Sequence, residues 1–171
     1  MLSEHEARLQ ISEIGRRMYA KNFVDGFAGN ISLRLDGDRL LATPSGQALG
    51  FLQPDDLVVV NMDGERVDTP TEANRNFRPT SEILMHLEVY KRRHDVGSVV
   101  HAHPQSAVAL TVAGYDFNQH VIPEMMVFLG RIAVTRFANP SSMEDALAIT
   151  EFLPEHDVIM LTNHGSLTLG D

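Results

Sequence analysis

The stretch Ser98-Val99-Val100-His101-Ala102-His103-Pro104 constrains this chain more than any other. Two β-branched residues in an apolar run, bracketed by Gly97 and Pro104, predict a short buried strand. Side chains alternate faces along a strand, so His101 and His103 point the same way, roughly 6.6 Å apart along the chain. Two imidazoles so placed can grip one cation from one side. By itself His-x-His is a weak motif, because paired histidines at a strand end also serve as hydrogen-bonded packing groups. A catalytic zinc needs a third protein ligand and an open fourth position. The rest of the chain must supply that ligand, a base, and a grip on substrate.

With 171 residues the chain reads as one domain with room for a full core. It has no cysteine, which excludes disulfides and thiolate ligation and leaves histidine and carboxylate for any transition metal. The net charge of −9 argues against nonspecific nucleic-acid binding and against docking on an anionic membrane. A phosphorylated small molecule is still compatible, since backbone N–H groups and helix ends bind phosphate locally. The charged segment Met1 to Gln10 lacks an apolar signal core, and no run approaches the roughly 18 apolar residues of a membrane helix. The expectation is a cytoplasmic protein.

In chain order, Ser3-Glu4-His5-Glu6 is a capping-box pattern opening a helix through about Asn22, with Leu9, Ile14 and Met18 near one face. Ile31 to Leu35 and Arg39 to Ala42, joined by Asp36-Gly37-Asp38, predict a hairpin. Leu57 to Val60 predicts a buried strand, and the polar, proline-bounded segment Thr69 to Pro79 a loop. A helix is expected over Ser81 to Arg93, with Ile83, Leu84, Leu87 and Tyr90 toward the core. Pro104 to Val112 is apolar enough for a helix packed behind the His-x-His strand, and Glu124 to Leu129 for a short helix. Ile132 to Thr135 and Val158 to Leu161 predict strands flanking a helix from Ser141 through Phe152. Ser166 to Leu169 closes the series. The fold class is therefore α/β of the α+β type, a central, mainly antiparallel sheet covered by helices.

His164 follows an apolar strand in a turn where Gly165 lets the backbone bend, so it could reach the His101/His103 face. His5, His86 and His94 read as solvated, while His120 and His156 lie in loops as reserve ligands. Glu82 sits in the first turn of a helix just before the metal strand. That position suits a carboxylate favoured by the helix dipole, or a general base beside a metal. Turns at Gly29-Asn30, Ser45-Gly46 and Thr80-Ser81 can each present N–H and O–H donors, and Ser81 does so at a helix N-terminus.

Taken together, Gly29-Asn30-Ile31-Ser32, Thr43-Pro44-Ser45-Gly46, Pro79-Thr80-Ser81-Glu82, His101-Ala102-His103 and Asn163-His164-Gly165 occur in the order seen in the class II aldolase/adducin family. The chain resembles that family over about residues 8 to 170. The resemblance implies helices on both faces of the sheet and zinc, or another divalent ion, on His101, His103 and His164, one per subunit. It implies a homotetramer whose active sites lie between subunits. Gly29, Asn30, Ser45, Gly46, Thr80 and Ser81 resemble the family's phosphate cradle, and Glu82 resembles the aldolases' catalytic acid/base. Where fuculose-phosphate aldolase carries a tyrosine proton donor reaching into the neighbouring site, this chain has Glu124, a feature it shares with the family's dehydratases. Relatives continue through another helix and a tail, so residues 1–171 read as a single domain ending short of that helix.

The implied function is a zinc-dependent aldolase of carbohydrate metabolism that cleaves a phosphorylated ketose through a metal-stabilised enediolate. The resemblance leaves open a dehydratase of the methylthioribulose-phosphate type, a related epimerase or decarboxylase, and a non-catalytic adducin-like interaction module. Adducin-type heads generally lack the metal histidines, which favours an enzyme.

Overall fold

The computed structural model describes residues 2–119 and 123–171. Its first helix, α1 (Glu4–Ala20), opens on the expected capping box: the Ser3 hydroxyl accepts from the Glu6 N–H while the Glu6 carboxylate accepts from the Ser3 N–H. The face it buries is Ala7, Ile11, Gly15 and Met18. Of the three residues expected there only Met18 qualifies, since Leu9 and Ile14 are exposed. Small residues hold this face because the helix comes very close to its neighbour. A Cβ on Gly15 would lie 2.7 Å from the Leu49 carbonyl oxygen.

The hairpin forms as β1 (Asn30–Arg34) and β2 (Leu40–Ala42), and β3 (Val58–Val60) follows two 3₁₀ turns. Helix α2 (Ile83–Arg92) leads into the His-x-His strand, β4 (Ser98–Ala102). Then come α3 (Gln105–Val112), α4 (Pro123–Phe128), β5 (Ala133–Val134), α5 (Met143–Ala148), β6 (Val158–Leu161) and β7 (Gly165–Gly170). The strands make one seven-stranded sheet in the order β3-β2-β1-β4-β7-β6-β5. Every neighbouring pair is antiparallel except β5 with β6. Strand β4 lies at the centre, pairing His101 with Asn30 on β1 and with Leu167 on β7.

Alternation along the strands sends the two sheet faces into separate cores. Leu40, Val60, Val99, Ile159, Leu161 and Leu167 pack with residues of α2 and α5. Ile31, Leu41 and Val59 pack on the other side, with α1 and the 3₁₀ turns. The expected architecture therefore holds, with local differences. Helix α5 ends at Ala148, and Ile149 to Phe152 continue only as turns. Helix α3 does not pack as a buried element: Thr111 is its one buried residue. Among the described residues, no helix is long and apolar enough to cross a membrane.

Candidate metal centre

At the end of β4 the side chains of His101, His103, His164 and Glu82 offer one ligand atom each, all within 4.8 Å of one another. The three imidazole centroids are 4.7, 4.8 and 4.9 Å apart, with ring planes inclined by 60–73°. Each ring thus turns an edge toward a shared centre instead of stacking. Nε2 of His101 and Nε2 of His103 approach to 2.8 Å, and the Glu82 carboxylate lies 3.3 Å from Nε2 of His101 and 3.1 Å from Nε2 of His164.

Two strand neighbours make this convergence possible. His101 leaves β4 on the α2 side, where Glu82 stands at the N-cap of α2. His164 arrives from the tight β6–β7 turn, in which Asn163 adopts φ 59° and the His164 N–H donates to the Leu161 carbonyl. The next residue has no room for a side chain. A Cβ at Gly165 would lie 2.3 Å from the Ala102 carbonyl oxygen, 2.8 Å from His101 Cε1 and 2.9 Å from His103 Cδ2.

The hydrogen bonds fix how His101 presents itself. Its Nδ1 is 3.0 Å from the Ser166 carbonyl oxygen, which can only accept, so Nδ1 carries the proton. Nε2 is then left with a bare lone pair aimed at the cluster, the form in which imidazole ligates a metal. Burial reinforces this by holding His101 neutral, well below the usual histidine range, although the Glu82 charge opposes it. Burial and the nearby His164 likewise lower His103. Burial would raise Glu82, but the hydrogen bonds from His164 and the Asn30 amide outweigh it and hold the carboxyl ionised, well below its ordinary value. His164 moves upward: burial opposes its charge, and the Glu82 and Asp145 carboxylates overcome that.

Behind His164 stands a residue that carries no mark in the sequence. Asp145 Oδ1 is 4.0 Å from His164 Nδ1, and among the described residues both that Nδ1 and Asp145 Oδ2 are buried without a hydrogen-bond partner. Two buried, unpartnered polar atoms beside three convergent ring nitrogens are what a divalent cation would resolve: with Nε2 given to the ion, Nδ1 carries the proton and faces the carboxylate. The donor set therefore fits a metal ion.

Glu82, His103 and His164 form one wall of a cleft of about 270 Å³, with His101 buried behind them. Gly29, Asn30, Ser45, Gly46, Thr80 and Ser81 line it, so all six cradle candidates come together beside Glu82. Two loops are stitched to each other to do so: the Ser45 N–H donates to the Arg78 carbonyl and the Thr80 N–H to the Thr43 carbonyl. Ser45 and Ser81 are exposed, whereas Asn30 and Thr80 are buried. The Ser81 oxygen accepts from the Ser141 hydroxyl, which leaves the Ser81 O–H free to donate. Glu124 is exposed on α4 and does not line this cleft. His5 and His94 are exposed as expected, His156 hydrogen-bonds the Phe152 carbonyl away from the cluster, and His120 lies outside the described residues. His86 departs from expectation. It is fully buried on α2 and engaged through both ring nitrogens, because β1 presents Asn30 and Ser32 directly to it.

The family model for the class II aldolase and adducin N-terminal domain matches residues 9–171. An L-fuculose phosphate aldolase of Methanocaldococcus jannaschii is 32% identical over 161 residues, covering 94% of this chain and 82% of that protein. A 3-oxo-tetronate 4-phosphate decarboxylase of Escherichia coli O6:H1 is 29% identical over 98% of this chain and 78% of its own length. Among solved structures, YgbL from Escherichia coli superimposes with a TM-score of 0.85 at 28% identity, covering 98% of this chain and 79% of that one. An L-fuculose-1-phosphate aldolase from Thermus thermophilus does so with a TM-score of 0.76 at 29% identity, covering 96% and 80%. The sheet, the histidine cluster and these matches agree: the chain belongs to the class II aldolase and adducin family.

Proposed function

We propose that this protein is a zinc-dependent lyase that cleaves a phosphorylated ketose by a retro-aldol reaction. The observation that carries the reading is the convergence of three imidazoles and a carboxylate beside a hydroxyl-rich cleft that Glu82, His103 and His164 line. Three nitrogen ligands suit zinc with a position left for substrate. A divalent cation held by His101, His103 and His164 would supply Lewis-acid stabilisation of negative charge on the substrate's oxygens.

The protein's own groups divide the remaining tasks. Ser45, Gly46, Thr80 and Ser81, with the N-terminal end of α2, bind the phosphate and fix the distance of the reacting carbons from Glu82. Glu82 removes the proton from the carbon next to the carbonyl in the synthetic direction and returns it during cleavage. Glu124 of a neighbouring subunit handles the second proton, on the hydroxyl that becomes the aldehyde oxygen. That role rests on a homotetramer, whose contacts would cover the exposed apolar side chains Val127 and Phe128 of α4.

Relatives named as decarboxylases favour a second reading, loss of CO₂ from a phosphorylated 3-oxo acid. The carbanion left beside the carbonyl would be protonated by the same Glu82. Incubation with a panel of sugar phosphates and 3-oxo acid phosphates, scoring aldehyde, CO₂ and water loss separately, discriminates among cleavage, decarboxylation and dehydration. Aldehyde release supports the lyase reading; CO₂ without aldehyde replaces it with the second. Glu82→Gln should keep the metal and lose exchange of the substrate α-proton with solvent deuterium by about 10²-fold or more. Unchanged exchange would remove Glu82 as the base.

A further inference from the structure

A continuous row of buried hydrogen bonds leads away from Glu82 into the core. Asn30 Nδ2 donates to Glu82 Oε2 at 2.7 Å, Asn30 Oδ1 lies 2.6 Å from His86 Nε2, His86 Nδ1 lies 2.7 Å from Ser32 Oγ, and Ser32 Oγ lies 2.9 Å from the Tyr90 hydroxyl. All five residues are buried, and Ser32, His86 and Tyr90 completely. Glu82, His86 and Tyr90 follow at four-residue intervals along α2, while Asn30 and Ser32 share one face of β1.

The row has only one self-consistent polarity. An ionised carboxylate only accepts, so Asn30 must turn its NH₂ toward Glu82 and its oxygen toward His86. That oxygen also only accepts, so His86 carries its proton on Nε2. A neutral imidazole protonated there has a bare Nδ1, which accepts a hydrogen bond from the Ser32 hydroxyl, and the Ser32 oxygen in turn accepts from Tyr90. Burial keeps His86 neutral, holding it down at about 4. Every donor in the row therefore points toward Glu82.

We propose that His86 is a positioning residue for the reaction: its Nε2–H tautomer, set by Ser32 and Tyr90, locks the Asn30 amide so that the Glu82 side chain is aimed into the cleft. With no donor on His86, the Asn30 amide is free to turn its oxygen to Glu82, and the carboxylate loses its neutral partner. The inference rests on Glu82 being the proton-transfer base.

Ring ¹⁵N spectra of the wild-type protein near neutral pH read the polarity without any variant. The expected result is a neutral His86 protonated at Nε2; protonation at Nδ1, or a doubly protonated ring, overturns the proposal. His86→Leu removes the donor and His86→Gln restores one at a similar reach. The expected result for the leucine variant is a loss of α-proton exchange approaching 10²-fold at unchanged metal content and unchanged affinity for inorganic phosphate, with most of the loss recovered by glutamine. If His86→Leu unfolds, the ring spectra and the glutamine variant decide. Wild-type exchange in a folded His86→Leu protein overturns the positioning role and leaves the proposed lyase intact. A wild-type protein that exchanges no α-proton overturns the assignment of Glu82 and the inference built on it.

Discussion

His101 presents a bare Nε2 because a backbone carbonyl claims the proton on its other nitrogen, whereas among the described residues His164 Nδ1 has no hydrogen-bond partner and faces the Asp145 carboxylate from 4.0 Å. Asp145→Asn should weaken zinc affinity about tenfold or more, read by competition with a chromophoric chelator, with the melting temperature of the metal-free protein little changed. Unaltered affinity would make Asp145 a packing residue only. The cluster itself was legible because its residues sit in ordered local motifs, with His101 and His103 at strand spacing and His164 beside a glycine. Asp145 and His86 carried no such mark. A histidine on a helix reads as solvated until β1 is known to run beneath it, and four-residue spacing from Glu82 through His86 to Tyr90 was the one available sign.

Elements were easiest to read where chemistry and periodicity coincide, as in the Ser3 capping box and the hairpin of β1 and β2. Hydropathy failed where backbones approach closely. The core face of α1 is built on Ala7 and Gly15, so leucine and isoleucine at other positions faced solvent instead. The same closeness governs the β6–β7 turn. Gly165→Ala should cost about 1–3 kcal/mol in urea unfolding, because the added methyl meets a carbonyl and two imidazoles that cannot all move aside. It should also weaken metal binding, since His101 and His103 are the groups displaced. A variant as stable as wild type would show that the two strands can separate without loss.

At the scale of the whole molecule, packing neutral imidazoles in the interior makes the metal-free fold sensitive to acid. The native pKa of His86 is about 4 against an ordinary 6.5, so below about pH 6.5 the unfolded chain takes up a proton that the native state refuses. Stability should therefore fall between roughly pH 6.5 and 4, by up to about 1.4 kcal/mol per pH unit for such a group. His101 acts in the same direction, and Glu82, depressed in the fold, adds a loss as the pH drops below the ordinary carboxylate range. His164, raised in the fold, opposes them: its contribution is full in acid and fades as pH rises through its native value. Urea unfolding of the metal-free protein at a series of pH values checks the net sign, and stability that rises on acidification would contradict it. Association belongs to this scale too. Phe128 is 80% exposed, and Phe128→Asp should shift the proposed tetramer to smaller species in sedimentation; a wild-type monomer would remove Glu124 from the mechanism.

All of this depends on His101, His103 and His164 closing on one cation. The most direct measurement is the metal content of the purified protein after zinc loading and desalting, beside that of His103→Ala. The wild-type chain should retain one zinc and the variant none. A wild-type protein free of metal, or a variant that keeps a full equivalent, would contradict this.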